Sequence, residues 1–132
     1  MTVLVAYVPT PEGNAAFTAA VEEAGRRQEP LVVLNTPREG APVSTAVASE
    51  ATVEALVQRA TAAGVDVEVR QDPHAGELAD EVVRVAETVD ASVIVIGLRR
   101  RSPVGKLIMG SSAQRILLEA NCPVLAVKEP QA

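Results

Sequence analysis

The sequence is poor in aromatic residues. Tyr7 and Phe17 are the whole set in 132 residues, there is no tryptophan, and aromatics make up 2% of the chain. That excludes the base-stacking platforms on which single-strand nucleic-acid binders depend. A broad basic footprint is also missing. Lys and Arg total 12 against 17 Asp and Glu, a net charge of −5, so general nucleic-acid binding is excluded as well. Cysteine occurs once, at Cys122, so no internal disulfide can form, a usage that suits the cytosol. There is no apolar run of about 18 residues and no charged-then-apolar leader with a cleavage site. These absences give the expectation of a soluble, cytoplasmic protein without a membrane partner. His74 is the one histidine. With no cysteine or second histidine near it, no metal site is expected, and its Pro- and Gly-flanked setting predicts a surface turn.

What the chain does have is aliphatic material, 48% of it hydrophobic, and the core must therefore be Val, Leu, Ile and Ala. β-branched residues favour strands, and Ala and Leu favour helices. Residues 3–8, 31–34, 92–96 and 124–127 are short apolar runs of the kind that form strands buried on both faces. Val65, Val67 and Val69 alternate with Asp66, Glu68 and Arg70, which predicts a half-exposed strand at a sheet edge. Between these runs the period changes to that of a helix. Phe17, Ala20, Val21 and Ala24 share one face, with Gly25 and Pro30 bracketing the end. Val53, Leu56, Val57 and Ala60 share another, stopped by Gly64. Leu78, Val82, Val85, Ala86 and Val89 form a third. Ala113, Ile116, Leu117 and Ala120 face inward on a last helix that starts near Ser111 or Ser112 and breaks at Cys122-Pro123. The alternation of strand and helix predicts one α/β domain over residues 1–132, a parallel sheet with helices on both faces. Ligands of such sheets bind beyond the carboxyl ends of the strands, where strand order reverses. The first and fourth strands border that crevice.

One segment there has the composition of a phosphate site. Residues 97–112 follow a buried strand, open a helix, and hold Arg99, Arg100, Arg101 and Lys106 in an otherwise acidic chain. Helix N-termini offer unsatisfied N–H groups and a partial positive charge to phosphate. Gly97 and Gly110 let backbone approach a ligand closely. Ser111 and Ser112 either cap the helix or donate a hydroxyl to an anion. The plain alternative is a solvated arginine loop with ordinary capping serines. The P-loop pattern is absent, since Gly105-Lys106 lacks both the earlier glycine and the following Ser or Thr, and no dinucleotide fingerprint follows the first strand. Cys122 has no adjacent base and reads as a buried apolar thiol. Asp80, Glu81 and Glu87 read as solvating charges on the third helix. Ser44 and Ser49 lack a nucleophile elbow. No catalytic residue is assigned, and the chain is not expected to be an enzyme.

The segments Val93 to Gly97, Gly110-Ser111-Ser112 through Arg115, and Cys122-Pro123-Val124 through Val127 resemble the universal stress proteins. The resemblance extends over the whole chain in length and element order, and its specific part is the final 40 or so residues. It implies a Rossmann-like, adenine nucleotide alpha hydrolase-like fold: a five-stranded parallel sheet in the order 3-2-1-4-5. Nucleotide-binding members carry G-x2-G-x9-G-[ST]. Here Gly97, Gly110 and Ser111 match, and Arg100 stands at the second glycine. By resemblance the matching residues line the ribose and phosphate part of a site for ATP or another adenine nucleotide. Arg100 either blocks the phosphates or clamps them with its guanidinium. Val8 stands where binding members carry Asp at the end of the first strand. A valine cannot accept a hydrogen bond, and one bond lost there costs about 1–3 kcal/mol if a partner is left unsatisfied.

The family's last strand pairs with its copy in a second subunit, which implies a homodimer through residues 124–128 and would cover an exposed edge. The resulting expectation is a cytoplasmic, dimeric, nucleotide- or anion-responsive stress protein with an altered ATP motif. The alternative is a protein-interaction module that has lost nucleotide binding. An enzyme acting on a small anionic substrate in the same crevice is a third class.

Overall fold

The apolar runs pair side by side into one sheet. In the computed structural model, which describes residues 1–37, 39–40, 47–101, 106–107 and 110–129, with backbone only at 100, 101, 106 and 107, the elements alternate. They are β1 (Thr2–Ala6), α1 (Pro11–Arg27), β2 (Leu31–Leu34), α2 (Glu50–Ala62), β3 (Val67–Arg70), α3 (Leu78–Thr88), β4 (Ala91–Leu98), β5 (Arg100–Arg101), β6 (Lys106–Leu107), α4 (Ser111–Glu119) and β7 (Val124–Lys128). Five strands form a parallel sheet in the order β3-β2-β1-β4-β7, the 3-2-1-4-5 order that the resemblance implies. The short β5 and β6 pair antiparallel within the basic connection, which the sequence reading treated as irregular.

Period two divides the core. Val3, Val5, Leu31, Val33, Val93 and Val95 face α1 and α2, with Phe17 beneath them. Leu4, Val32, Leu34, Ile94 and Ile96 face the other way, onto α3 and, through Ile116, α4. Adjacent residues of a strand point to opposite faces, so strands covered on both faces must be continuously apolar. β3 lies at one edge with its pattern half exposed, as the Val65–Arg70 alternation predicts.

Element ends differ from the sequence reading for local reasons. β1 stops at Ala6, because Val8 already turns toward α1: its carbonyl accepts the Thr10 N–H at 2.8 Å. α1 runs through Gly25 to Arg27 and ends at Gln28, which adopts the left-handed conformation at φ 55°. Val65 precedes β3, because its N–H closes the end of α2 on the Ala60 carbonyl. Leu117, expected to face inward, is exposed, since on the short α4 Ile116 takes the buried position. Among the described residues no helix is long and apolar enough to cross a membrane.

Candidate functional site

β1 leads leftward to β2 and β4 leads rightward to β7, so strand order reverses between β1 and β4. Their carboxyl ends deliver Val8 on one side and Gly97 and Arg99 on the other. The helices that follow begin at the same end of the sheet, α1 at Pro11 and α4 at Ser111.

The α1 side is tightly built. Thr10 caps the helix, its Oγ1 accepting the Gly13 N–H at 3.1 Å, and Pro11 occupies the first helical turn, where its missing N–H costs nothing. A Cβ on Gly13 would lie 1.8 Å from the Val8 carbonyl oxygen, so only glycine lets the chain double back here. Gly97 has a matching reason. A Cβ on it would lie 2.3 Å from the Glu12 carbonyl oxygen, so the first turn of α1 rests directly on the end of β4. Ligand approach is the sequence-based expectation for Gly97; its first contact is with α1. Glu12 is 8% exposed, and its Oε1 stands 3.8 Å from Nε of Arg99. Val8 is half-buried and brings no polar side chain.

The α4 side is open. Gly110 is the N-cap residue, at φ −68° and ψ 165°, with no side-chain capping bond. Any residue adopts that backbone, and nothing described lies within 4 Å of where its Cβ would be. Its glycine therefore answers no packing or conformational need among the described residues. Ser111 and Ser112 are the first two helical residues, not caps, and the first turn holds no acidic residue. Among the described residues their N–H groups have no carboxylate or hydroxyl cap in front of them. Arg100 opens β5, and its side chain lies outside the described residues, as do residues 102–105, 108 and 109.

A polar network, absent from the sequence reading, braces the neighbouring strand ends. Asn35, directly after β2, donates from Nδ2 to the Tyr7 carbonyl at 2.7 Å. Its Oδ1 accepts the Ala48 N–H at 2.7 Å and Gln71 Nε2 at 3.0 Å. Gln71 also donates to the Ala48 carbonyl. One buried amide thus ties β1, β2, β3 and the approach to α2. Its signal in the sequence was a lone amide closing an apolar run. The Tyr7 hydroxyl donates to Asn14 Oδ1 at 2.8 Å, and burial pushes its pKa up, partly offset by Arg59.

His74 overturns one expectation. It is 6% exposed, not a surface residue. Its N–H donates to the Pro37 carbonyl at 2.9 Å and its carbonyl accepts from the Glu39 N–H, so the backbone at Pro37 and Glu39 is bonded to it. The Thr36 hydroxyl donates to the Asp72 carbonyl, which leaves Nδ1 of His74 as the donor in the 3.0 Å contact between them. Cys122 is half-buried, and burial raises its thiol pKa. Asp80 and Glu87 do more than solvate: Arg115 donates to Asp80 at 2.6 Å and Asn121 to Glu87 at 2.8 Å, joining α4 and its end to α3. Among the described residues no group of three or more His, Cys, Asp or Glu is gathered as a metal would need.

Comparison with known proteins agrees with this architecture. The model of the universal stress protein family matches residues 1–128. A universal stress protein from Mycolicibacterium smegmatis is 40% identical over 126 residues, 96% of this chain and 96% of that one. A solved universal stress protein structure from Archaeoglobus fulgidus has a TM-score of 0.82 at 34% identity, covering 97% of this chain and 98% of that one. A second structure from that organism, in complex with dAMP, has a TM-score of 0.71 at 27% identity, covering 97% and 98%.

Proposed function

The chain belongs to the universal stress protein family, and on that footing we propose that it is a cytoplasmic stress-response module, not an enzyme, that binds an adenine nucleotide through its phosphate at the start of α4. The observation that carries this is the open N-terminus of α4. Gly110 leaves the N–H groups of Ser111 and Ser112 without a side-chain cap, and no acidic residue stands in the first turn. Such an end attracts phosphate through N–H donors and the helix dipole. Gly97, Arg99 and Arg100 belong to the same strand end and connection. The dAMP complex of the Archaeoglobus relative supports an adenine nucleotide as the ligand class.

Calorimetry with ATP, AMP and inorganic phosphate tests the proposal. Binding is expected to weaken about tenfold in Ser111→Ala, the loss of roughly one charge-assisted hydrogen bond from its hydroxyl, and similarly in Gly110→Val, whose branched side chain crowds the phosphate in front of the helix N–H groups. Unchanged binding in both variants would overturn it.

Val8 favours the second reading, a protein-interaction module that has lost nucleotide binding. By the resemblance, an apolar side chain stands where binding members carry an acceptor, and a folded protein that gives no heat with any nucleotide would decide for this reading. Under either reading we propose a homodimer through β7. This strand ends the sheet, Leu125 on it is exposed, and Leu118 on the adjoining α4 is 84% exposed. Unpaired apolar edges are pairing surfaces. Light scattering at micromolar concentration is expected to give twice the 13.8 kDa chain mass; a monomer would exclude it.

A further inference from the structure

The crevice contains a carboxylate for which neither Val8 nor the α4 end accounts. Glu12 sits in the first turn of α1, with its side chain 10% exposed. Its backbone rests on Gly97, so its position is fixed by the contact between α1 and β4. A carboxylate with so little access to water gains from donors, although its oxygens are not fully buried. Among the described residues the one charged partner is Arg99, whose side chain is 69% exposed and whose Nε is 3.8 Å away. That distance is an ion pair and too long for a hydrogen bond. Glu12 therefore holds acceptor capacity beside residues 97–99, and Arg99 is free to turn outward to an anion.

We infer that Glu12 is the specificity-determining residue of this crevice: it supplies from α1 the acceptor that Val8 lacks, and it makes hydroxyl groups on the ligand's sugar a requirement for binding. The inference rests on the nucleotide reading above. A ligand that brings only acceptors, such as inorganic phosphate, takes Arg99 away from Glu12 and leaves a largely covered carboxylate without a counter-charge. A nucleoside monophosphate satisfies both ends. Its sugar hydroxyls donate to Glu12 while its phosphate takes the α4 N–H groups and Arg99. Carboxylates recognise vicinal hydroxyls in this way at other sheet ends.

The test compares AMP, 2′,3′-dideoxy-AMP and inorganic phosphate by calorimetry on the full chain, in wild type, Glu12→Ala and Glu12→Gln. Thermal melts confirm that the variants fold; the contact with Gly97 uses the Glu12 backbone, which both variants keep. Wild type is expected to bind AMP roughly ten- to hundredfold more tightly than the dideoxy analogue, the range for a hydrogen bond to a charged group. Glu12→Ala is expected to lose that preference and to bind inorganic phosphate more tightly than wild type. Glu12→Gln, which keeps a neutral acceptor, is expected to fall between them. If Glu12→Ala binds AMP and retains the full preference for sugar hydroxyls, this inference is wrong and the nucleotide reading stands. If wild type binds no nucleotide at all, both fall together.

Discussion

Of the helices that start at the carboxyl end of the sheet, α1 and α4 border the crevice, and they start differently. α1 is complete in itself. Thr10 caps it, Pro11 begins it, Glu12 adds a carboxylate to its first turn, and Gly13 fits under the Val8 carbonyl. α4 has none of this. Gly110 gives no cap, and Ser111 and Ser112 follow without an acidic neighbour. A helix end that meets its own N–H groups with side chains belongs to the fold. One that leaves them open is available to a ligand. The two glycines repeat the contrast. Gly97 is required by the backbone of α1, whereas Gly110 is required by nothing described around it.

The largest expected effect separates those glycines. Gly97→Ala drives a methyl to 2.3 Å from a main-chain oxygen that belongs to a packed helix. A loss of about 3 kcal/mol is expected from such overpacking, read as a fall in urea midpoint. Gly110→Ala is expected to cost about 0.5 kcal/mol, the small difference between glycine and alanine at an N-cap. Equal losses would erase the distinction between a packing glycine and an open one.

The next change makes α4 resemble α1. Gly110→Asp places a carboxylate cap over the Ser111 and Ser112 N–H groups. Stability is expected to rise by a few tenths of a kcal/mol, while phosphate and AMP binding fall at least tenfold, because the new anion occupies the donors and repels the ligand. Binding that survives this substitution would place the anion elsewhere. In the opposite direction, Thr10→Ala takes the cap from α1. It is expected to cost about 1 kcal/mol and to leave AMP affinity unchanged, measured by thermal melting and calorimetry on the same sample.

This division was only partly legible in the sequence. Period and run length located every major strand and helix, because strands covered on both faces must be apolar throughout and helices covered on one face must repeat near 3.6. Gly110-Ser111-Ser112 was legible as a helix start. Gly97 was legible as a glycine but not for its reason, since the partner is the backbone of Glu12, 85 residues earlier in the chain, and backbone carries no residue-type signal. Nothing in the sequence marks Glu12, one acid after a helix-opening proline. Its burial comes from α1 lying across β4, a tertiary fact. His74 was misread for the same reason. Proline and glycine do flank it, but Pro37 and Glu39, more than 30 residues earlier in the chain, bond its backbone.

The smallest effect concerns the other end of α1. Glu23 receives hydrogen bonds from Arg26 and from Arg27, the latter at 3.0 Å, in the last turn of the helix, whereas the last turn of α4 has no basic residue. The hydrogen bond from Arg26, then that from Arg27, holds the Glu23 carboxyl below its ordinary pKa. A carboxylate whose pKa is lower folded than unfolded binds fewer protons in the folded state, so its contribution is present above the ordinary carboxylate range and is lost as pH falls through the depressed value. Glu23→Gln is therefore expected to melt slightly below wild type at neutral pH. The two melting curves should converge once the medium is acid enough to protonate Glu23 in the folded protein. The gap is expected to be small and to shrink with salt, because the arginines are solvent-exposed. A gap that persists at acid pH would mean that the Glu23 side chain supports α1 by packing and not by charge, and the charged finish that distinguishes α1 from α4 would then have no energetic content.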